Sequence, residues 1–124
     1  MFACDPATVV DQQIAAWRAR DAEAFAAFYA PDAVIADFPA TVTSTGREEI
    51  QTRYARNFAR SPADLQLSIK TRIVSGEYVI DEEVLTAGRG QIEAVVVYRV
   101  QECLITRADM LPSQMRPRAP EAGQ

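Results

Sequence analysis

The chain has 124 residues, of which 48% are hydrophobic and 24% are charged, and its formal net charge is −4. This composition is typical of one folded globular domain and excludes a disordered or fibrous protein. The acidic balance argues against nucleic-acid binding, because contact with phosphates needs a positive field.

The N-terminal segment predicts two helices. Asp5 can cap a first helix that Pro6 opens, and an apolar face at helical spacing continues to about residue 20. Asp21 can cap a second, shorter helix, which the Ala-Pro-Asp sequence at 30–32 ends.

A short buried strand is predicted at 33–36, followed by a loop at 39–46. Thr45 and Glu48 then form a capping-box pattern that starts a third helix, and Ser61-Pro62 ends it. Three residues at spacings of four are predicted on the inward face of this helix: Ile50, Tyr54 and Phe58.

After Pro62 the pattern becomes alternating, which predicts a meander of four strands at about 65–73, 78–86, 91–100 and 103–111. In the first of these strands one face is predicted to carry Leu65, Leu67, Ile69, Thr71 and Ile73, and the other Gln66, Ser68, Lys70 and Arg72.

The order of helices followed by antiparallel strands predicts an α+β fold, with the helices on one face of a curved sheet. The third predicted strand is apolar on both faces, with Ile92, Ala94, Val96 and Tyr98 on one and Val95 and Val97 on the other. A strand of this kind is usually covered on both faces, so we expect a homodimer through the outer sheet face. The alternative is a few scattered surface valines.

The two cysteines show no metal-ligand spacing and are too few for a disulfide framework. Cys103 is expected to be a small core residue of the fourth strand. No apolar run approaches the roughly 18 residues of a membrane-spanning helix, and the N-terminus lacks a signal-peptide pattern. We therefore expect a cytoplasmic protein with one domain at 1–111, no membrane contact and a disordered tail at 112–124.

The chain contains no histidine, which excludes imidazole chemistry and leaves Asp, Glu, Tyr, Lys or water for proton transfer. In the second predicted strand Asp81 and Glu83 share one face and Glu82 the other, so at least one carboxylate faces inward. Enclosed carboxylates can exchange protons near neutral pH. Alternatively, they form cross-strand ion pairs with arginines such as Arg72 or Arg99.

Asp37 ends the buried strand in the stretch AVIADFPA. It is either a strand-end residue held before Phe38-Pro39 or a base at the edge of a pocket, because a carboxylate there needs water, a partner or a use. Tyr29 and Tyr54 each need a hydrogen-bond partner if buried. They can position a ligand or satisfy one another.

The run FYAPDAVIADFP, followed after a short loop by TGREEIQTRYAR, resembles the nuclear transport factor two-like superfamily, and most closely its SnoaL-like and ketosteroid isomerase-like branches. The resemblance covers about residues 8–111. It implies a cone-shaped half-barrel of helices around a mainly antiparallel sheet, an apolar pocket and dimerisation through the outer sheet face. It identifies a superfamily more specifically than an activity, since the fold hosts isomerases, cyclases, dehydratases, hydrolases and binding modules.

Carried over residue by residue, the resemblance places Asp37 on the proton-transferring aspartate of the ketosteroid isomerases. Tyr29 and Tyr54 fall on two supporting tyrosines. The oxyanion-binding residues differ, because Gln13 and Val96 stand in their places. Without those donors a base loses several kcal/mol of stabilisation, which argues against steroid isomerisation.

The resemblance also implies a polar cluster of Asp37, Asp81, Glu83 and Arg53, which is either a site or a neutralised ion-pair network. The expected catalytic residues are Asp37, Asp81 and Glu83. The expected pocket residues are Gln13, Trp17, Tyr29, Arg53, Tyr54, Phe58, Val79, Val96 and Tyr98. Two functions remain open: an isomerase, cyclase, dehydratase or hydrolase without metal or organic cofactor, or a non-catalytic module that binds a hydrophobic or amphipathic small molecule. A third possibility is an interaction scaffold that uses the sheet face.

Overall fold

The computed structural model describes residues 4–111 and 114–117 of the chain. This part contains three helices, α1 (Pro6–Arg18), α2 (Ala22–Ala27) and α3 (Arg47–Arg60). It also contains seven strands, β1 (Tyr29–Asp37), β2 (Thr41–Thr45), β3 (Gln66–Ser75), β4 (Tyr78–Ala87), β5 (Gly90–Gln101), β6 (Leu104–Met110) and β7 (Gln114–Pro117).

The strands form one sheet in the order β2-β1-β6-β5-β4-β3, and β7 pairs with the first residues of β5. The pairing is antiparallel except between β1 and β6, which run parallel. Helix α1 packs across β3 to β6, while α3 packs on β1 and β2. The helices thus cover one face of a curved, unclosed sheet, which confirms the predicted α+β half-barrel.

The core lies between this sheet face and the helices. Val10 and Ile14 of α1, Ile35 of β1, Ile50 of α3 and Ile105 of β6 are each at most 2% exposed. Full burial of such a side chain stabilises the fold by about 1.5–3 kcal/mol relative to exposure. The apolar periodicity of the helices and strands is therefore what places the helices on the sheet.

The first two helices begin where the sequence predicts. Asp5 accepts hydrogen bonds from the Ala7 amide at 3.3 Å and from the Thr8 hydroxyl at 3.0 Å. Asp21 accepts one from the Ala24 amide at 3.0 Å. The two amide bonds satisfy backbone donors that the first turn of a helix leaves free.

The predicted start of α3 is wrong. Gly46, with φ +89, occupies the N-cap position, and no side chain caps this end. Thr45 instead belongs to β2, opposite Val34 of β1. Only glycine adopts the Gly46 backbone conformation without strain, so the backbone turn rather than a capping box starts the helix.

Residues 41–45 were predicted as part of a loop, but they form β2. Thr41 and Thr45 pair with Asp37 and Val34, and the segment TVTST is rich in the β-branched residues that favour strands. β1 is also longer than predicted, because it begins at Tyr29 rather than at residue 33. Because β2 is mostly polar, its sequence does not indicate a strand, and pairing with β1 stabilises it.

A bulge at Lys70 interrupts β3. Ile69 pairs with Glu83 and Thr71 with Glu82, so Lys70 has no opposite residue. The bulge turns Arg72 toward the helix side of the sheet, and Ile73 becomes 56% exposed on the outer face. The predicted alternation is therefore wrong beyond the bulge, because one extra residue exchanges the two faces of a strand.

Cys103 is not a core residue of β6. It is exposed in the turn between β5 and β6, where Glu102 and Cys103 have φ values of 52 and 69. It forms a disulfide with Cys4, 99 residues away, with a Cα–Cα distance of 5.1 Å. This two-residue turn lacks the glycine or asparagine that usually indicates such a hairpin. The sequence pattern therefore gives no sign of a turn at Cys103.

The predicted tail at 112–124 contains the strand β7, which extends the sheet beyond the expected domain end at 111. The rest of the predicted tail, 112–113 and 118–124, lies outside the described residues.

Candidate functional site

A cavity of about 230 Å³ lies between the helices and the inner face of the sheet. Its polar lining residues are Gln13, Tyr29, Tyr54, Glu83 and Tyr98. Its apolar walls include Trp17 of α1, Phe25 of α2, Leu67 of β3, Leu85 of β4, Ala94 and Val96 of β5 and Met110 of β6. Pockets for small molecules commonly combine apolar walls with a few polar groups in this way.

Glu83 is the acidic residue of this lining. The alternation of β4 turns Glu83 inward and leaves it 7% exposed. The Tyr98 hydroxyl donates to its Oε2 at 2.9 Å. Among the described residues no donor reaches its Oε1, so that oxygen is available to a ligand.

The pKa of Glu83 is raised to about 7, mainly because burial disfavours the charged form and also because the Asp81 carboxylate is near. The Tyr98 hydrogen bond and the Arg72 guanidinium lower this pKa and offset part of the rise. Near neutral pH the group therefore exists in both protonation states, as proton transfer requires.

Tyr29 and Gln13 satisfy one another across the cavity wall. The Tyr29 hydroxyl donates to Gln13 Oε1 at 2.7 Å, and Gln13 Nε2 donates to the Val10 carbonyl at 3.2 Å. Burial raises the pKa of Tyr29 well above its usual range, so the hydroxyl stays protonated. Gln13, expected to stand where an oxyanion donor would be, thus uses its oxygen and one of its two amide N–H groups on protein partners.

Tyr54 is the half-buried tyrosine of the lining. Its ring stacks on Phe25 at 4.3 Å between centroids, and its hydroxyl has no hydrogen-bond partner among the described residues. Burial, reinforced by the Glu83 carboxylate, raises the pKa of Tyr54 to about 12, while Arg53 acts in the opposite direction. Tyr54 is thus a protonated donor that faces the cavity.

Asp81 is fully buried but does not line the cavity. Arg72 Nε and Nη2 donate to its two carboxylate oxygens at 2.7 and 2.9 Å. Arg72 Nη1 also lies 2.7 Å from Asp11 of α1, while Arg99 pairs with Glu77 at the surface. For Asp81 the structure therefore supports the ion-pair interpretation.

Asp37 and Arg53 are not among the residues that line the cavity, although both act electrostatically on the Tyr54 hydroxyl, where Asp37 raises its pKa and Arg53 lowers it. Asp37 is exposed at the end of β1, paired with the lining residue Met110, and the Phe38 amide donates to the Met110 carbonyl at 2.7 Å. Arg53 is exposed on α3 and donates to the Thr43 carbonyl at 3.3 Å. The helix turn that carries Tyr54 inward leaves Arg53 toward solvent.

The other expected pocket residues divide into two groups. Six line the cavity: Gln13, Trp17, Tyr29, Tyr54, Val96 and Tyr98. Phe58 and Val79 are buried behind its surface, and the Phe58 ring meets the Trp17 ring edge-on at 6.1 Å. The alternation of β4 and β5 also puts Leu85, Ile92 and Ala94 on the inner face, and these three residues line the cavity. No local sequence pattern indicates the hydrogen bond between Tyr98 and Glu83.

Within the described part of the chain, no group of three or more His, Cys, Asp or Glu side chains is arranged to hold a metal ion. None of the helices in that part is long and apolar enough to cross a membrane.

The family model of the SnoaL-like domain matches residues 10–108, and the chain belongs to this family. No curated protein matches the sequence. A cystatin-fold protein from Novosphingobium aromaticivorans is 22% identical with a TM-score of 0.80, and the match covers 89% of this chain and 100% of that one.

Two further solved structures share the fold. A candidate ketosteroid isomerase from Kribbella flavida is 24% identical with a TM-score of 0.72, covering 95% of this chain and 83% of that one. An LEH-like epoxide hydrolase from M. tuberculosis is 17% identical with a TM-score of 0.68, and the match covers 86% of this chain and 80% of that one. At these identities the structural likeness establishes the nuclear transport factor two-like fold.

Proposed function

We propose that the protein is a small-molecule enzyme that transfers a proton at carbon, with Glu83 as general base and Tyr54 as hydrogen-bond donor. The observation that carries this proposal is a 7% exposed carboxylate in a cavity wall, with one oxygen that no described residue hydrogen-bonds. Buried carboxylates with raised pKa values are frequent in acid–base sites.

The base is assigned to Glu83 rather than to Asp37, because Asp37 is exposed and does not line the cavity. Asp81 is not assigned a catalytic role either, since Arg72 engages both of its oxygens. Glu83, by contrast, lines the cavity and has one oxygen that no described residue hydrogen-bonds.

The proposed step begins with a C–H bond next to a substrate carbonyl. Glu83 Oε1 takes the proton, and the electron pair moves onto the carbonyl oxygen, which accepts a hydrogen bond from the Tyr54 hydroxyl. Return of the proton from Glu83 to another carbon gives isomerisation. Addition of the carbanion to a second carbonyl, whose oxygen then takes the proton from Glu83, gives cyclisation. Loss of a β-hydroxyl group as water, with the proton from Glu83, gives dehydration. The step uses side-chain groups alone.

Proteins of this fold support acid–base chemistry, since they include a candidate ketosteroid isomerase and an epoxide hydrolase. They do not indicate which reaction this protein would catalyse. Steroid isomerisation is not proposed, since Val96 supplies no hydrogen-bond donor and Gln13 is held by Tyr29 and Val10. The apolar walls favour a hydrophobic or amphipathic substrate.

Hydrogen exchange into acetophenone in D₂O tests the proposal, because NMR detects loss of the methyl hydrogens before any later step. The wild-type protein is expected to accelerate exchange, and Glu83→Gln to lose roughly 10²–10⁴-fold of that acceleration. Glu82→Gln is the matched control, since Glu82 lies on the opposite face of β4. Exchange no faster than buffer, or equal in Glu83→Gln, would contradict the proposal.

A non-catalytic binding module is the second candidate function. It is favoured by the internal bonds of the lining, in which Gln13, Tyr29 and Tyr98 already satisfy protein partners. It predicts that acetophenone raises the melting temperature of wild type and Glu83→Gln equally, with no exchange in either. A computationally designed 17-OHP binder, 18% identical with a TM-score of 0.77, illustrates that the fold can serve this purpose.

A further inference from the structure

The arginine that acts on Glu83 already has anionic partners. Arg72 pairs with the buried Asp81 and also with Asp11, whose side chain is 62% exposed. Buried charges in proteins are normally paired, so an ionised Glu83 lacks a positive partner of its own among the described residues.

No lysine or arginine is found among the described residues that line the cavity. Three aromatic residues form part of its wall, Trp17, Phe25 and Tyr54. The faces of such rings attract cations, and the attraction increases when the cation is removed from water. An aromatic, apolar wall without a positive charge is therefore compatible with a positive, partly apolar group.

We propose that the ligand of this cavity is a compact amine that carries one positive charge, which pairs with Glu83 Oε1 while its apolar part packs between the aromatic rings. The inference shares the cavity of the proposed function but requires only binding. The volume of about 230 Å³ falls below the 300–1,000 Å³ typical of drug-sized ligands, which favours a compact molecule.

The amine would pair with the ionised form of Glu83, so binding of the amine and protonation of Glu83 compete. The titratable groups around Glu83 are Tyr98 on β5, Tyr29 on β1 and Tyr54 on α3, with Asp81 beside it on β4 and Arg72 on β3. The tyrosines stay neutral because burial raises their pKa values, so Glu83 is the member that exchanges a proton near pH 7. An ammonium group would displace that proton.

Calorimetric titration of the full chain with benzylamine, benzyl alcohol and benzoate tests this inference, because the three probes have similar shape and different charge. At pH 8 benzylamine is expected to bind at least roughly tenfold more tightly than benzyl alcohol, and benzoate is expected not to bind. At pH 7 benzylamine should release about half a proton, measured in buffers of different ionisation enthalpy.

Glu83→Gln keeps the size of the side chain and an acceptor for Tyr98 but removes the charge. It should abolish the preference for benzylamine and retain binding of benzyl alcohol, while Glu82→Gln should resemble wild type. Equal affinity of wild type for amine and alcohol, no binding of either, or a preference that survives Glu83→Gln would overturn the inference. Exchange into neutral acetophenone would still report separately on the proposed catalysis.

Discussion

Arg72 and Asp81 form a two-point ion pair across β3 and β4, with nitrogen–oxygen distances of 2.7 and 2.9 Å. Asp81 is fully buried, and Arg72 also reaches Asp11, so the pair connects the sheet to α1. The bulge at Lys70 is what brings Arg72 to this side of the sheet. Asp81 is therefore held in an ion pair through both of its oxygens, and Glu83 is the inner-face carboxylate of β4 for which we propose a reactive role.

Removal of Arg72 should destabilise the protein strongly, because Asp81 would become a buried charge without a partner. We expect Arg72→Met to lower the free energy of unfolding by about 3–5 kcal/mol, measured by urea denaturation. Asp81→Asn in the Arg72→Met background should recover part of this loss. The control Arg107→Met, which breaks a more exposed pair with Asp109, should change little. Equal effects of the two arginine substitutions would contradict this assignment.

The raised pKa of Glu83 predicts a pH-dependent stability. The folded protein holds a proton on Glu83 up to about pH 7, whereas the unfolded chain releases it near 4.5. The folded state therefore binds more protons between these values, and stability falls as pH rises through that window. The wild type should lose roughly 3 kcal/mol relative to Glu83→Gln between pH 4.5 and 7. Parallel stability curves for the two proteins would show that the pKa of Glu83 is not raised.

The Cys4–Cys103 disulfide should contribute a large share of the stability, because it closes a loop of 99 residues in the unfolded chain. The loop-entropy model gives about 4–5 kcal/mol, so Cys4→Ser with Cys103→Ser should unfold at a much lower urea concentration. Reductant should destabilise wild type and leave the double variant unchanged. A loss below about 1 kcal/mol would contradict the predicted contribution.

We propose that the outer sheet face forms a homodimer. Ile73, Ile80 and Val97 lie opposite one another across β3, β4 and β5, and Ile73 is 56% exposed. Light scattering should give a dimer mass for wild type and a monomer mass for Val97→Glu, because the new carboxylate would be buried at the interface. Asn57→Glu, on exposed α3, should remain dimeric. A monomeric wild type would refute this interface.

Local patterns in the sequence predicted the features that depend on neighbouring residues. Asp5 and Asp21 cap their helices, and the alternation of β4 places Asp81 and Glu83 on the inner face. The resemblance to the superfamily predicted the half-barrel. The caps and the inward direction of the β4 carboxylates follow from hydrogen bonds and periodicity that a few adjacent residues specify.

The differences arise where distant segments decide the outcome. The bulge at Lys70 turns the Arg72 side chain to the opposite face of the sheet. A polar segment forms β2 because it pairs with β1. Cys4 meets Cys103 only because α1 begins beside the β5–β6 turn. The resemblance assigned Asp37 the role of a base in the pocket. Its exposure depends on where β1 ends between β2 and β6, which no local pattern indicates.

Trp17 gives the cavity an intrinsic optical signal. It is the single tryptophan of the chain, it lines the cavity, and its ring lies edge-on to Phe58. Indole emission shifts with local polarity, so entry of a ligand is expected to change the fluorescence of the unlabelled protein. Libraries of small molecules can thus be screened by emission alone, before any turnover assay exists.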